Sequence, residues 1–87
     1  MRRDDKPLFV DDAAGVEALV GEIATSTGPI ALDTETSGLE INGVRVRLMQ
    51  IKTAPDAQPT IVDCQAVDPA PLLEALRYKR ILGHNLP

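Results

Sequence analysis

The stretch of sequence that decides the fold is Ile30-Ala31-Leu32-Asp33-Thr34-Glu35. Side chains alternate between the two faces of an extended strand, so Ile30 and Leu32 share one face. Asp33 and Glu35 share the opposite face, with about 6.5–7 Å between their Cα atoms. The stretch therefore predicts a strand that buries its apolar face and presents two carboxylates side by side.

On the amino-terminal side of this strand, residues 11–25 predict an amphipathic helix with Asp11 or Asp12 as its N-cap. Its apolar face shows the i, i+3, i+4, i+7 spacing at Val16, Leu19, Val20 and Ile23. Gly15 and Gly21 each cost about 1 kcal/mol relative to alanine. We therefore expect the helix to depend on packing against the rest of the domain.

On the carboxyl-terminal side, residues 37–43 are rich in turn formers, and residues 44–52 predict a second strand that forms a hairpin with residues 30–35. Residues 60–63 predict a third strand, and residues 81–84 a fourth.

A second helix is predicted between the third and fourth strands. Asp68 is its expected N-cap and Pro69 occupies its first turn. Its apolar stripe consists of Leu72, Leu73 and Leu76. Because a helix connects them, we expect the fourth strand to run parallel to an earlier neighbour by a right-handed crossover.

Composition limits the protein to one small domain of 87 residues with a net charge of −4. That charge provides no basic field to attract nucleic acid over long range. Phe9 and Tyr78 are its only aromatic residues, which argues against a sheet that stacks several bases. Cys64 is the only cysteine, so no internal disulfide forms. The apolar run Leu8–Val10 is too short for a signal or membrane segment, and we expect a cytoplasmic protein.

The acidic pair Asp33 and Glu35 is the main candidate for chemistry. Mg²⁺ and Mn²⁺ prefer carboxylate oxygens, and paired ions stabilise phosphoryl displacement. The alternative is that the pair belongs to a solvated strand face, as we also expect for Arg45 and Arg47. Acidic residues are depleted in strands, so two of them at the end of an apolar strand favour a metal site.

Three strings in order resemble the ribonuclease-H-like 3′–5′ exonucleases, the group named for its four acidic metal ligands. Residues 31–39, Ala-Leu-Asp-Thr-Glu-Thr-Ser-Gly-Leu, resemble the first motif of that family. Residues 47–51, Arg-Leu-Met-Gln-Ile, resemble its next strand, and residues 81–87, Ile-Leu-Gly-His-Asn-Leu-Pro, resemble the opening of its second motif. The chain is similar in these strings to ribonuclease D and to the proofreading domain of family A DNA polymerases.

The resemblance implies a partial ribonuclease-H-like α/β fold, with a three-stranded antiparallel start, a crossover helix and a fourth strand. It implies that Asp33 and Glu35 are catalytic and hold two Mg²⁺ or Mn²⁺ ions together with further ligands. Thr36 and Leu39 would contact the terminal nucleotide, and His84 and Asn85 the sugar and phosphate. For His84 alone, a hydrogen bond to backbone is the alternative.

The implied substrate is the single-stranded 3′ end of DNA or RNA. The string Gly83-His84-Asn85-Leu86 is more similar to the polymerase domains than to ribonuclease D, which favours DNA. A polymerase domain or a partner protein in the full assembly is compatible with the resemblance.

The sequence departs from the family pattern after Pro87, before the aromatic residue and the third acidic ligand. We therefore expect residues 1–87 to be the N-terminal portion of a single exonuclease domain, truncated within the second motif and inactive as this chain. A non-catalytic interaction module completed by a partner is the first alternative. A small acidic domain with an accidental pair of acids is the second.

Overall fold

The computed structural model describes residues 7–35, 40–41, 44–45 and 47–84. Within these ranges the chain forms two helices and seven strands, whose bounds are β1 Leu8–Val10, α1 Ala13–Thr25, β2 Ile30–Glu35, β3 Glu40–Ile41, β4 Val44–Arg45, β5 Leu48–Lys52, β6 Thr60–Asp63, α2 Ala70–Leu76 and β7 Ile81–His84. None of the helices in the described ranges is both long and apolar enough to cross a membrane.

Five of the described strands form one sheet in the order β1-β6-β5-β2-β7, and β3 pairs only with β4. β2, β5 and β6 pair antiparallel in sequence, as the predicted three-stranded start requires. β7 returns after α2 to lie parallel to β2, which confirms the parallel pairing expected of the fourth strand. The antiparallel start, the crossover helix and the parallel fourth strand of the expected α/β fold class are therefore all present.

Both helices pack on the same face of the sheet. The core joins three sets of side chains: Val16, Leu19 and Ile23 from α1, Leu72 and Leu76 from α2, and Val10, Ile30, Leu32, Met49, Ile51 and Val62 from the sheet. Ile30 and Leu32 point into this core, whereas Ala31 and Glu35 are exposed. The alternation predicted for residues 30–35 is therefore confirmed. Neither of the two described helices covers the opposite face, which carries the acidic pair, and we call it the open face of the sheet.

Strand β1 is a departure from the predicted element order. The sequence analysis assigned no strand to Leu8–Val10, yet these residues pair in parallel with Thr60–Val62. Leu8 N also donates to Pro59 O at 2.9 Å. The strand is short and its partner lies about fifty residues away, so no local periodicity indicates it.

The single strand predicted for residues 44–52 is wrong. Val44–Arg45 belongs to a separate two-stranded hairpin with Glu40–Ile41, and a new strand starts at Leu48. The same hairpin places a strand inside the predicted turn at residues 37–43. From Leu48 onwards Met49 and Ile51 point inward, so the alternation restarts rather than continuing from Val44.

The helices require smaller corrections. Asp12 is the N-cap of α1, and its side chain accepts a hydrogen bond from Gly15 N at 2.8 Å. Pro69 takes the N-cap position of α2, although Asp68 Oδ1 still accepts from Ala70 N at 3.0 Å. Leu73 was expected in the apolar stripe of α2 but is 37% exposed, because the seven residues of this helix present a narrow face to the core.

Candidate active site

Asp33 and Glu35 lie at the carboxyl end of β2, on the open face. Asp33 is half-buried and Glu35 is exposed. β2 is flanked on both sides, by β5 and by β7. The backbone under both carboxylates is thus held by strand pairing, and the strand alternation directs both side chains to the same region.

Glu35 is paired with a cation. Arg47 Nη1 lies 3.5 Å from Glu35 Oε1, and Arg47 N donates to Glu35 O at 2.8 Å. The two side chains remain 50% and 65% exposed, respectively. The sequence analysis assigned Arg47 to a solvated face and missed this contact. Its only signal was the position of the arginine at the start of the strand that follows the acidic pair.

Residues of β5 and β6 continue the floor of the site. Gln50 is opposite Asp33 in the antiparallel register, and Ile61 is opposite Gln50. Asp33, Glu35 and Gln50 line a shallow cleft of about 220 Å³. Asp33 and Gln50 also border a larger depression of about 650 Å³ that extends towards Leu82. Asp33 therefore lies between the two depressions, whose lining combines apolar side chains with the polar Gln50 and Lys52.

The remaining predicted site residues are described only in part. His84 ends β7, where its Cα is in register with that of Asp33. This register brings the start of the proposed second motif beside the first. Thr36, Leu39 and Asn85 lie outside the described residues.

The donor chemistry of the pair suits a hard divalent cation, because both groups supply carboxylate oxygens. Among the described residues, however, no group of three or more histidine, cysteine, aspartate or glutamate side chains is placed to hold a metal ion. Asp33 and Glu35 thus fit as part of a metal site and require further ligands to complete it.

A family model described as 3′–5′ exonuclease matches residues 7–86. The matched residues include the acidic pair, the strand that contains Gln50, and residues 81–86 around His84. The chain belongs to the 3′–5′ exonuclease family. The family expected from the three motif strings is therefore confirmed.

Several solved structures share the fold. RNase D of Escherichia coli is 20% identical, with a TM-score of 0.65 over 90% of this chain and 20% of its own. The catalytic core of RRP6 from Trypanosoma brucei is 26% identical, with a TM-score of 0.66 over 95% of this chain and 25% of its own. The Nibbler EXO domain of Aedes aegypti is 19% identical, with a TM-score of 0.66 over 98% and 42%. The comparison with curated proteins found no match.

This chain thus spans about a fifth of the E. coli RNase D chain and less than half of the Nibbler EXO domain. The part that it spans holds the central strand of the sheet and its two carboxylates.

Proposed function

We propose that this chain contributes the N-terminal part of an exonuclease domain that removes nucleotides from the 3′ end of single-stranded nucleic acid. The observation that carries the proposal is the placement of Asp33 and Glu35 on the open face of β2, with His84 in register beside Asp33. Family membership supports the reaction class. A cytoplasmic location and an attached polymerase domain stay predictions.

Asp33 and Glu35 are the residues that would hold divalent metal ions. When bound, Mg²⁺ or Mn²⁺ ions supply an activated water and stabilise the oxygen that leaves in phosphodiester hydrolysis. The chain's own contribution is to fix two carboxylates on a paired strand. This fixed geometry lowers the cost of ordering ligands around the ions.

Arg47 has a positioning role in this proposal. Its guanidinium offsets the negative charge of Glu35 and restrains the carboxylate beside Asp33. Because the ion pair is exposed, it is weak enough to be exchanged for a metal ion. Gln50, opposite Asp33, adds a neutral polar group to the floor without adding charge.

The substrate is proposed to be a single-stranded 3′ end. RNase D from Trypanosoma brucei has been solved in complex with RNA U12, which supports RNA for that protein. The string Gly83-His84-Asn85-Leu86 favours DNA for this chain. The proposal therefore includes both DNA and RNA as substrates.

As an 87-residue polypeptide, the chain is proposed to be inactive. It contributes two of the four acidic ligands that the family pattern requires, and no aspartate or glutamate follows Glu74. Two carboxylates leave most coordination positions of two ions unfilled.

The test uses residues 1–87 followed by the second half of an exonuclease domain, supplied by the downstream coding sequence or by a homologous domain. With Mg²⁺ or Mn²⁺ it should shorten a labelled single strand from the 3′ end. Asp33→Ala and Glu35→Ala should each lower the rate by a hundredfold or more, on the order of the loss of other transition-state-stabilising groups. Glu17→Ala, which removes an exposed acid of α1, is the control and should retain the rate. Equal rates for all four proteins would refute the proposal.

A second candidate function is an interaction module whose open face is covered by a partner protein. The exposure of Phe9 (60%) and Leu82 (53%) on that face favours it. Two observations together would support this candidate over the first. A partner protein would protect both residues from solvent, and the assembled complex would have no nuclease activity.

A further inference from the structure

A basic and aromatic patch lies at the turn between α2 and β7. It consists of Arg77, Tyr78 and Arg80, which we call the Tyr78 patch, and all three residues are exposed. Tyr78 is 80% exposed, the most exposed of the large apolar side chains in the described part of the chain. Neither the exonuclease site nor the core uses it.

Local charge distinguishes this turn from the rest of the molecule. The whole chain carries a net charge of −4, yet residues 75–87 contain three cations and no carboxylate. Glu74 is the acid that directly precedes this segment in the sequence, and its Oε1 lies 3.6 Å from Arg77 Nη1. Both of these side chains are more than 60% exposed, so their ion pair is weak and leaves Arg77 able to bind another anion.

The turn is held in one conformation by the residue between Tyr78 and Arg80. Lys79 Nζ donates to the backbone oxygen of Ser26 at 3.0 Å and to that of Ala24 at 3.5 Å, at the end of α1. Arg80 O accepts from Ile30 N at 2.9 Å, which ties the turn to β2. Because Lys79 is engaged with α1, the Tyr78 patch is displayed on an anchored backbone, and binding to it costs little ordering.

Tyr78 already has one cation against it. Arg77 Cζ lies 5.5 Å from the centroid of the Tyr78 ring, within the range of a cation–π contact. Most of the ring is still exposed, so a planar group has room to stack on it. An aromatic ring flanked by guanidinium groups is the combination with which proteins bind a base and its neighbouring phosphates.

We propose that the Tyr78 patch binds single-stranded nucleic acid, with one base stacked on Tyr78 and phosphates paired with Arg77 and Arg80. The patch directly precedes β7, and its nearest residue, Arg80, lies four residues or about 13 Å along the chain from His84, which is beside Asp33. It is thus a second contact for the strand whose 3′ end the acidic pair would cleave. The choice of ligand rests on the proposed function, whereas the geometry of the patch does not.

The test measures the binding of fluorescent ten-nucleotide oligothymidylate and oligouridylate to the 87-residue chain, by anisotropy at low salt in EDTA. Tyr78→Ala should weaken binding by about fivefold or more, since one stacked base contributes at least that much. Tyr78→Phe keeps the ring and should bind as the parent chain does. Phe9→Ala removes the other aromatic ring, on the open face, and should leave the affinity unchanged.

The charges are tested by salt dependence. Arg77→Gln with Arg80→Gln should lower the slope of log affinity against log salt by about 1.4, because each phosphate contact to a single strand contributes about 0.7. Arg2→Gln with Arg3→Gln removes two cations at the other end of the sequence, and this matched control should leave the slope unchanged. Circular dichroism checks that every variant is folded.

The proposal is supported if either oligonucleotide binds and the variants change its affinity and salt dependence as described. The oligonucleotide that binds more tightly shows whether the patch prefers DNA or RNA. Absence of binding to both, equal affinity for a duplex, or an unchanged affinity in Tyr78→Ala refutes it. The use of EDTA separates this result from the proposed function. If the completed domain is active but Tyr78→Ala binds oligonucleotide normally, only the proposal for the Tyr78 patch is refuted. If the completed domain is inactive but Tyr78→Ala weakens oligonucleotide binding, only the proposed nuclease function is refuted.

Discussion

Glu35 carries a charge that is compensated within the chain. Arg47 approaches it at 3.5 Å, and the backbone of the same two residues is hydrogen-bonded. The carboxylate is therefore held near Asp33 by a contact that costs little to break. This arrangement favours a site that is ordered before a metal ion arrives.

The coupling between Glu35 and Arg47 is expected to be small. A double-mutant cycle with Glu35→Gln and Arg47→Gln should give a coupling free energy below about 1 kcal/mol, because both side chains are half-exposed or more. Urea unfolding at low and high salt measures it, and the coupling should decrease as salt increases. A coupling of several kcal/mol that salt does not alter would contradict the exposed geometry.

Cys64 provides a pH-dependent contribution to stability. Burial raises the pKa of its thiol from 9.0 to about 11, and the neighbouring Asp63 carboxylate adds to the rise. The unfolded chain thus loses this proton at lower pH than the folded chain. The stabilising contribution is complete below about pH 9 and is lost as the pH rises towards 11.

Over that interval the parent chain should lose about 2 kcal/mol more stability than Cys64→Ala, at roughly 1.4 kcal/mol per pH unit. Denaturant unfolding of both proteins between pH 8 and pH 11 measures this difference in the free energy of unfolding. The variant is less stable at every pH because it leaves a cavity, so the comparison concerns the slope only. Parallel pH profiles would show that the thiol does not titrate as described.

At the scale of elements, the two glycines of α1 have opposite roles. A Cβ on Gly15 would meet Val10 Cγ1 at 3.0 Å and Asp12 Oδ1 at 3.2 Å, whereas a Cβ on Gly21 would meet no atom within 4 Å. Gly15 therefore permits the close approach of β1 and of the N-cap to α1. Gly21 only weakens the helix.

These roles predict opposite effects of the same substitution. Gly21→Ala should raise the free energy of unfolding by about 1 kcal/mol through helix propensity. Gly15→Ala should lower it, because the contact with the branched side chain of Val10 outweighs the same gain in propensity. Chemical denaturation of both variants measures the pair. An equal increase in both would mean that β1 moves away without cost.

Elements with a strong local pattern were predictable from the sequence. Ile30–Glu35 was predicted to the residue, and so was the face of Asp33, because alternation alone determines both. β1 was not predictable because its partner lies about fifty residues away. The division at Leu48 was not predictable because it depends on which residues of β2 and β5 pair. The Glu35 to Arg47 contact was missed for the same reason, since it requires the register of two strands.

At the scale of the whole molecule, one layer of helices covers one face of the sheet and leaves an open face. Phe9 and Leu82 are 60% and 53% exposed there, and the half-buried Ile61 lies beside Phe9 in the register. Phe9 and Leu82 lie on the two edge strands of this sheet, β1 and β7, and exposed apolar side chains beside a sheet edge favour association.

The 87-residue chain should therefore self-associate as its concentration rises. Phe9→Ser with Leu82→Ser should shift it towards monomer in sedimentation velocity at tens of micromolar. Leu73→Ser, which changes a 37% exposed leucine on the helical layer, is the control and should sediment as the parent does. A parent chain that remains a compact monomer would contradict the expectation and strengthen the case for a self-sufficient module.

The pairing of β1 with β6 also sets the order in which the chain can fold. During synthesis the ribosome releases residues 8–10 first, but their partners at residues 60–62 follow about fifty residues later. β2 and β5 are much nearer in sequence, so the hairpin they form closes a smaller loop at lower entropic cost. Of the described strands of this sheet, β1 is thus synthesised before the others and is among the last to dock. Until it docks, the edge of β6 is open to pairing with another nascent chain.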